Sequence, residues 1–363
     1  MIGHKRIPGR EGGVEVVVEE LSTRMVKAGN DVTVYNRYSH NTPKMKRYMG
    51  VRIITTPTIR KKALDAVVYS FIASFQALFG KYDVIHYHAL GPSVMLVIPH
   101  LFGIRTVVTV HGLNYKTPKW KGFGAKYILL GEKITAKYAD EIIVLSNEQH
   151  DYFMRKYYRN TTYIPNGTTI HNICRPDEIR KKWGLERNGF ILFVSRLVPG
   201  KGLEDLIAAY KRIDTLLPLI IAGESTFADD FYDDICKSVA ENDRIHMIGF
   251  VSGNTLRELY SNTALFVFPS EAEGMPMCLL EAMSFNAPCL VSDIPENTDI
   301  GREFVQSFQT GNIDDFMIQM KLCLQDASTL FAADSQNYIR EQYNWSVITK
   351  ETLQCYRGEI CHY

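Results

Sequence analysis

The feature that most constrains the fold of this chain is the regular alternation of short apolar runs with longer helical segments. After Gly12-Gly13, for example, Val14, Val17, Val18, Leu21 and Met25 recur at helical spacing, and Gly29 is a plausible stop. Alternation of this kind predicts parallel sheets with helices on both faces. The apolar runs that we predict as strands are residues 32–35, 51–54, 82–88, 106–110, 141–145, 190–194, 218–222, 244–247, 264–268 and 289–291.

The alternation pauses once and then restarts, at Tyr163-Ile-Pro-Asn-Gly-Thr168, where Pro-Asn-Gly favours a turn. A chain of 363 residues is long enough for two domains of ordinary size. We therefore predict two doubly wound α/β domains, residues 1–168 and 169–345, followed by a final segment, residues 346–363, that contains a helix. The first strand is unusual because only Met1-Ile2 precede Gly3, where roughly five residues are typical. We expect that strand to be clipped.

Composition excludes several classes of protein. The formal net charge is +1, so no global field favours nucleic acid as a partner. Seven cysteines are scattered singly without a C-x-x-C pair or a secretory signal, which is typical of a reduced, cytoplasmic protein. The near-apolar stretch 63–79 is interrupted by Asp65 and Gln76 and is short for a membrane-spanning helix. We expect an amphipathic or core helix there.

A segment with two acids follows the apolar run 264–268. It contains Glu273 and Glu281, separated by seven residues. Pro276 suits only the first turn of a helix, so Glu273 is predicted in a loop and Glu281 in the helix after it. Open α/β sheets bind ligands at such strand-to-helix junctions.

The predicted helix start adds an anion site to these two carboxylates. Free backbone amides such as those of Met277 and Cys278 would point out of the helix towards an anion. A ligand that offers both hydroxyls and phosphates, such as a nucleotide sugar, suits the combination. In the simpler alternative, the acids cap the helix and face water.

A second loop carries two cations. Ser195-Arg-Leu-Val-Pro-Gly-Lys-Gly202 lies between a predicted strand and a predicted helix. Arg196 offers a planar fork and Lys201 a mobile ammonium, and both suit phosphate. The loop is not a Walker A motif, because Gly202 stands where Ser or Thr should follow the lysine. The alternative is a pair of solvated loop cations.

The string Glu273-Gly-Met-Pro-Met-Cys-Leu-Leu-Glu281-Ala-Met resembles the acidic signature of the retaining family 4 glycosyltransferases. The N-terminal string from His4 to Val14 is similar to family members that build bacterial surface polysaccharides. The resemblance covers nearly the whole chain and is strongest over residues 190–295. It implies the GT-B architecture, in which two Rossmann-like domains face a central cleft. The N-terminal domain would take the acceptor, the C-terminal domain the donor, and the last helix would pack back on the N-terminal domain.

The resemblance also implies roles for residues in the donor-binding domain. Glu281 would receive the ribose hydroxyls, and Glu273 would bind hydroxyls of the transferred sugar. Arg196 and Lys201 would clamp the donor diphosphate, and Val251 would contact the base. The backbone that would hold phosphate and sugar oxygens comprises Gly274, Met275, Pro276 and Met277.

In the N-terminal domain the implied site residues are two glycines and a histidine. Gly12 and Gly13 resemble the glycine loop that approaches the donor phosphate. His111 follows a strand and would hydrogen-bond a sugar, which makes it a candidate catalytic residue together with Glu273, Arg196 and Lys201. His86 and His88 lack a third ligand at metal spacing, and we interpret them as structural or acceptor-side residues.

The resemblance therefore implies retaining, hexosyltransferase-type transfer from a nucleotide-diphospho sugar to a hydroxyl of a glycan or lipid-linked acceptor in bacterial polysaccharide biosynthesis. We expect no metal and no other cofactor, because Arg196, Lys201 and the helix start already supply positive charge. Two alternatives stay open: a nucleotide-sugar 2-epimerase, and a non-catalytic binding partner of another transferase.

Basic clusters in the N-terminal half suggest peripheral contact with an anionic membrane at the cytoplasmic face. The alternative is ordinary solvated surface. The clusters comprise Lys44, Lys46 and Arg47; Arg60, Lys61 and Lys62; and Lys116, Lys119, Lys121 and Lys126 around Trp120 and Phe123.

Overall fold

The computed structural model describes residues 1–9, 12–38, 45–59, 64–113, 122–225, 230–331 and 333–359. The chain divides into two compact units. Unit 1 comprises Met1–Gly167 and Trp345–Tyr363, and unit 2 comprises Thr168–Asn344. The unit boundary therefore lies in the Pro-Asn-Gly turn region, and the last helix belongs to unit 1.

Helices and strands alternate along both units. The strands are β1 Thr33–Arg37, β2 Arg47–Tyr48, β3 Val51–Thr56, β4 Val84–His88, β5 Arg105–Val110, β6 Glu141–Val144, β7 Thr162–Tyr163, β8 Ile191–Val194, β9 Leu219–Ala222, β10 Ile245–Gly249, β11 Leu265–Phe268, β12 Cys289–Ser292 and β13 Gln306–Phe308. The helices are α1 Gly13–Lys27, α2 Leu64–Ala77, α3 Val97–Leu101, α4 Phe123–Tyr138, α5 Asn147–Tyr157, α6 Asp177–Trp183, α7 Leu203–Tyr210, α8 Asp230–Ala240, α9 Gly253–Asn262, α10 Met277–Ser284, α11 Pro295–Gly301, α12 Ile313–Gln325, α13 Ala327–Leu330, α14 Ser335–Gln342 and α15 Trp345–Arg357. Short 3₁₀ turns occupy Leu78–Gly80, Pro92–Leu96 and Arg302–Phe304.

Unit 1 contains two ladders of strands, in the orders β1-β3-β2 and β4-β5-β6-β7. Met1 and Ile2 lie between them. The Tyr35 N–H donates to the Met1 carbonyl at 3.1 Å, and Ile2 pairs in parallel with Tyr87 of β4. The two residues thus join both ladders at the point where the order of strands along the chain reverses. Such a switch point is where open α/β sheets bind ligands.

Unit 2 contains one six-stranded parallel sheet in the order β10-β9-β8-β11-β12-β13. Its strands β9, β11 and β12 are buried along their whole length. From β8 to β10, each strand is added on the same side of the one before it. The chain then crosses back and adds β11 on the other side of β8. The switch point of this sheet therefore lies between β8 and β11.

The sequence predicted most of these elements. The ten strands inferred from apolar runs are confirmed, and α1 begins at Gly13 and ends before Gly29, which has a φ of +88°. Three strands of the described residues, β2, β7 and β13, lie outside those ten runs, because Arg47–Tyr48, Thr162–Tyr163 and Gln306–Phe308 are not apolar runs. Residues 92–101 form a 3₁₀ turn that continues into α3, and helix α15 packs on α1 within unit 1.

Candidate active site

Two loops meet at the switch point of unit 2: the loop after β8 and the loop after β11. The carbonyl of Gly200 accepts a hydrogen bond from the Glu271 N–H at 3.1 Å, and the Ser270 hydroxyl oxygen lies 3.3 Å from the same carbonyl oxygen. Gly202 has a φ of +67°, and a Cβ atom there would lie 2.0 Å from the Pro269 carbonyl oxygen. Only glycine allows the two backbones to approach this closely.

An ion pair links the two loops through their side chains. Lys201 Nζ donates to Glu273 Oε1, and these side chains are only 14% and 12% exposed. Buried Ser270 donates its hydroxyl to the same Glu273 oxygen at 2.7 Å. Lys201 and Glu273 come from separate motifs, and the structure brings them together. The sequence analysis did not predict this pairing or the contribution of Ser270.

Glu281 lies on α10, and Tyr260 donates its hydroxyl to Glu281 Oε2 at 3.2 Å. Between the two acids, the thiol of Cys278 has its pKa raised to about 12, first by burial and then by the Glu281 and Glu273 carboxylates, with Lys201 opposing. The charges of both acids and of the lysine thus act on the pKa of one thiol, so these groups form one electrostatic cluster. The thiol stays protonated at neutral pH and is not a nucleophile here.

Helix α10 begins at Met277, directly after Pro276, so the predicted helix start is confirmed. Within the part of the chain that the structure describes, no side-chain cap is formed at its N-terminus. The amides of Met277 and Cys278 lie in the first turn and have no intrahelical acceptor. Met275 and Pro276 are buried and Gly274 is half-buried, so this segment presents backbone polar groups beside Glu273.

The other two candidates of unit 2 are less enclosed. Arg196 is exposed, and its side chain has no hydrogen bond or ion pair to any part of the chain that the structure describes. Val251 is half-buried and follows the sharp turn at Gly249, where φ is +73°. Neither residue contributes to the Lys201–Glu273 cluster through a direct hydrogen bond.

In unit 1, Gly12 caps the start of α1 in an extended conformation and Gly13 is the first helical residue. Among the described residues no side-chain cap is formed at this helix start either, and its first amides have no intrahelical acceptor. The preceding loop is tied to α1 by Glu15, which accepts from the Lys5 N–H at 2.9 Å, and by Glu19, which accepts from the Gly9 N–H at 3.2 Å.

His111 follows β5 and makes its hydrogen bond with another histidine. His111 Nε2 lies 3.0 Å from Nδ1 of His88, the last residue of β4. His86 is saturated, with Nδ1 2.6 Å from the Tyr356 hydroxyl and Nε2 2.7 Å from the Thr109 hydroxyl. The sequence left His86 with either a structural or an acceptor-side role, and these bonds fit the structural role. The His88–His111 pair was not predicted from the sequence.

A fourth histidine, His4, completes the group, with Nε2 3.0 Å from Asn36 Oδ1. Burial lowers the pKa of His111 to about 4 and that of His4 to about 3, and it lowers the pKa of His86 and His88 well below the usual range. All four imidazoles are therefore neutral at pH 7. They act as hydrogen-bonding groups and not as cations.

Helix α2 of unit 1 has an unusual distribution of side chains. Its buried face carries Tyr69, Ser70, Ala73, Ser74 and Ala77, which include small and hydroxyl-bearing residues. Its exposed face carries large apolar residues: Phe71 and Phe75 are 52% exposed, and Phe79 in the turn that follows is 74% exposed. Leu101 and Phe102, at the end of α3, are 76% and 69% exposed.

No helix in the described ranges has the length and apolar character needed to cross a membrane. Three of the predicted basic residues, Lys46, Arg47 and Lys126, are exposed. The other members of the predicted clusters lie outside the described residues: Lys44, Arg60, Lys61, Lys62, Lys116, Lys119, Trp120, Lys121 and the side chain of Phe123.

Comparison with known proteins agrees with this architecture. The family model described as Glycosyltransferase Family 4 matches residues 11–171, and the model described as Glycosyl transferases group 1 matches residues 176–343. UDP-Gal:alpha-D-GlcNAc-diphosphoundecaprenol alpha-1,3-galactosyltransferase from Escherichia coli is 29% identical over 287 residues, which cover 74% of this chain and 73% of that protein.

Solved structures share the fold. Sucrose-phosphate synthase from Thermosynechococcus elongatus has a TM-score of 0.83 at 21% identity, covering 96% of this chain and 93% of its own. Anabaena HepE in complex with UDP-glucose has a TM-score of 0.82 at 16% identity, with 98% of each chain covered. The two parallel-sheet units are thus the two α/β domains of a GT-B fold. The chain belongs to glycosyltransferase family 4 and is a glycosyltransferase.

The depressed histidine pKa values predict that unit 1 loses stability in mild acid. The unfolded chain takes up protons near pH 6.5, whereas native His111 does so only near pH 4, so stability is full above about pH 6.5 and falls between these values. Each such histidine contributes about 1.4 kcal/mol of unfolding free energy per pH unit.

Urea unfolding followed by tryptophan fluorescence from about pH 7.5 to about pH 5.5 measures this slope. A Trp183→Phe background leaves no tryptophan in unit 2, so the signal reports unit 1. His111→Gln should reduce the slope of the unfolding free energy against pH by about 1.4 kcal/mol per pH unit. A pH-independent free energy of unfolding over this range would contradict the assignment.

Proposed function

We propose that this glycosyltransferase is a retaining enzyme that moves a sugar from a nucleotide-diphospho sugar to a hydroxyl of a lipid-linked or growing glycan, without a metal. The observation that carries the proposal is the junction at the switch point of unit 2. There the Lys201–Glu273 pair, Ser270 and the uncapped start of α10 put a cation, a carboxylate and free amides side by side.

The proposed donor site separates phosphate recognition from hydroxyl recognition. Lys201, exposed Arg196 and the amides of Met277 and Cys278 offer positive potential to a diphosphate. Glu273 and Glu281 accept hydrogen bonds from hydroxyls, the first from the transferred sugar and the second from the ribose. The backbone of residues 274–277 completes the proposed donor site, and Val251 contacts the base.

In the proposed reaction the bond between sugar C1 and the phosphate oxygen breaks, and the acceptor oxygen forms a bond to C1 from the same face. The departing phosphate oxygen takes the acceptor proton. Glu273 is already engaged by Lys201 and Ser270, which suits a positioning role better than that of a free nucleophile. Catalysis then consists of positioning and of stabilising the developing charge on the diphosphate.

Unit 1 has polar groups of its own that suit such substrates. Gly12 and Gly13 leave the start of α1 open for phosphate, as the free amides of that first turn suggest. Neutral His111 hydrogen-bonds a sugar hydroxyl. The acceptor class is proposed from the E. coli relative, whose name describes transfer to a GlcNAc-diphosphoundecaprenol.

The direct test is a transfer assay with the purified chain, a panel of nucleotide sugars, and GlcNAc-diphospholipid as the first acceptor. We expect nucleoside diphosphate release that needs the acceptor, a product with the anomeric configuration of the donor, and equal rates with and without EDTA. An inverted product anomer would refute retention. Loss of transfer in EDTA that manganese restores would refute metal independence, and conversion of donor without acceptor would favour the epimerase.

The two acids should respond differently to substitution. Glu281→Ala should raise the donor KM roughly tenfold or more with a smaller change in kcat, because a charged hydrogen bond to a remote ribose contributes about 1.5–3 kcal/mol. Glu273→Ala should also lower kcat, because Glu273 contacts the reacting sugar and holds Lys201. Exposed Glu271→Ala is the matched control and should leave both constants near wild type. The reverse pattern in the two variants would show that the roles are exchanged.

We further propose that unit 1 contacts an anionic membrane from the cytoplasmic side. The support is the face formed by Phe71, Phe75 and Phe79, which exposes large apolar rings where a solvated helix would carry polar residues. Lys81 is exposed directly after this face, and Arg60, Lys61 and Lys62 precede α2 in the sequence. Basic residues beside an apolar face suit an anionic lipid surface.

Vesicle sedimentation tests this contact. We expect binding to phosphatidylglycerol vesicles, weaker binding to phosphatidylcholine, and partial loss at high salt. The double substitution Phe71→Ser and Phe75→Ser should weaken binding about 30-fold, because each half-exposed ring contributes about 1 kcal/mol. Leu216→Ser, which changes a 90% exposed leucine in unit 2, is the matched control. Recovery of the wild-type chain in the supernatant with both vesicle types would end the proposal.

A further inference from the structure

The pair formed by His88 and His111 lies at the carboxyl ends of two adjacent parallel strands, β4 and β5. His88 ends β4, and His111 follows the last residue of β5. Their rings are stacked, with centroids 5.3 Å apart and an angle of 24° between the planes, and His88 Nδ1 lies 3.0 Å from His111 Nε2. A hydrogen bond between two neutral imidazoles needs one N–H and one lone pair. The pair therefore has only two possible arrangements.

We propose that His88 is a positioning residue that donates through Nδ1–H to His111 Nε2 and thereby keeps the His111 proton on Nδ1. In this arrangement His111 presents an Nδ1–H donor to its ligand. What that donor binds rests on the proposed function, whereas the tautomer does not.

The burial of His88 selects this arrangement. The side chain is 0% exposed, and its Nε2 is a buried atom without a hydrogen-bond partner among the described residues. If His88 accepted at Nδ1, its proton would lie on Nε2 as a buried donor with no acceptor. Orphaned buried N–H groups are rarer in proteins than under-satisfied acceptors. The lone pair is therefore assigned to His88 Nε2 and the proton to His88 Nδ1.

The surroundings hold His88 in this geometry. Its N–H donates to the Ile2 carbonyl at 2.8 Å, and its own carbonyl lies 2.2 Å from where a Cβ on Gly3 would stand, so Gly3 packs directly on it. The ring of His86, fixed by Tyr356 and Thr109, lies 4.1 Å from the His88 ring, centroid to centroid. His88 is thus locked by strand pairing on its backbone and by a second imidazole on its ring.

The other ring nitrogen of His111, Nδ1, has no hydrogen-bond partner among the described residues. Within the described residues, the His111 side chain makes one hydrogen bond, to His88. His111 is half-buried, so part of its surface is exposed to solvent. The hydrogen bond at one nitrogen of a histidine decides which form the other takes. His88 thus makes His111 a donor at Nδ1, a group suited to a sugar oxygen or to an oxygen that gains negative charge.

Nuclear magnetic resonance of the whole chain tests the tautomer directly. Histidine rings labelled with ¹⁵N give two-bond ¹H–¹⁵N correlations that distinguish a protonated from an unprotonated nitrogen, and His111→Gln identifies the His111 signals. At neutral pH we expect protonated Nδ1 and unprotonated Nε2 for both His88 and His111. A His111 signal with protonated Nε2 in the wild-type chain would overturn the proposal, and this measurement needs no His88 variant to fold.

Two substitutions at His88 separate positioning from packing. His88→Phe keeps a ring but removes the donor, so His111 should shift towards the Nε2-protonated form. His88→Asn places an amide N–H near the position of Nδ1 and should restore the Nδ1-protonated form. An unchanged His111 pattern in His88→Phe would show that His88 only fills space.

The activity readout keeps the two proposals apart. If both hold, His88→Phe lowers kcat for transfer roughly tenfold with little change in donor KM, and His88→Asn recovers most of it. A tautomer switch in His88→Phe with unchanged transfer would refute the role of His111 in the proposed function and leave the tautomer assignment standing. Loss of transfer without a tautomer switch would refute the positioning role.

Discussion

The parallel pairing of β8 with β11 is the constraint on which the candidate site of unit 2 depends. Leu265 of β11 lies opposite Ile191 of β8, so the loops that leave these strands start side by side although they are far apart in sequence. Lys201 and Glu273 then meet, and each provides the countercharge that makes burial of the other tolerable. Removing one partner would leave a largely buried charge unpaired, a change that typically costs about 3–5 kcal/mol. The same pair links the two loops and provides two charged groups of the candidate site.

The switch points of the two units have the same topology but different chemistry. In unit 2 the strand ends carry a cation, two carboxylates and a free helix start, which are charged or strongly polar. In unit 1 they carry imidazoles that burial keeps neutral, beside the backbone of Met1 and Ile2. Permanent charge suits a diphosphate, and neutral donors and acceptors suit hydroxyls. The proposed function assigns these two groups of residues to different parts of the substrates for that reason.

Helix α2 shows how the fold can reverse an expectation from amphipathicity. Its small and hydroxyl-bearing residues pack inward, where Tyr87 donates to the Ser74 hydroxyl at 2.8 Å, and its phenylalanines point outward. Close packing of α2 against the rest of unit 1 needs small side chains, and the large apolar side chains therefore lie on the exposed face of the helix. That exposure is the physical basis for the proposed membrane contact.

The sequence by itself determined the alternation of strands and helices, the start of α10 at Met277, and the residue types that stand at strand ends, because these depend on local spacing and on proline and glycine geometry. It also carried the resemblance that the family comparison confirms. Only the tertiary structure decided that Lys201 pairs with Glu273, that Tyr260 reaches Glu281, and that His88 bonds His111. Those contacts join residues that are distant in the chain, and which strands become neighbours is set by how the whole sheet assembles. No local pattern contains that information.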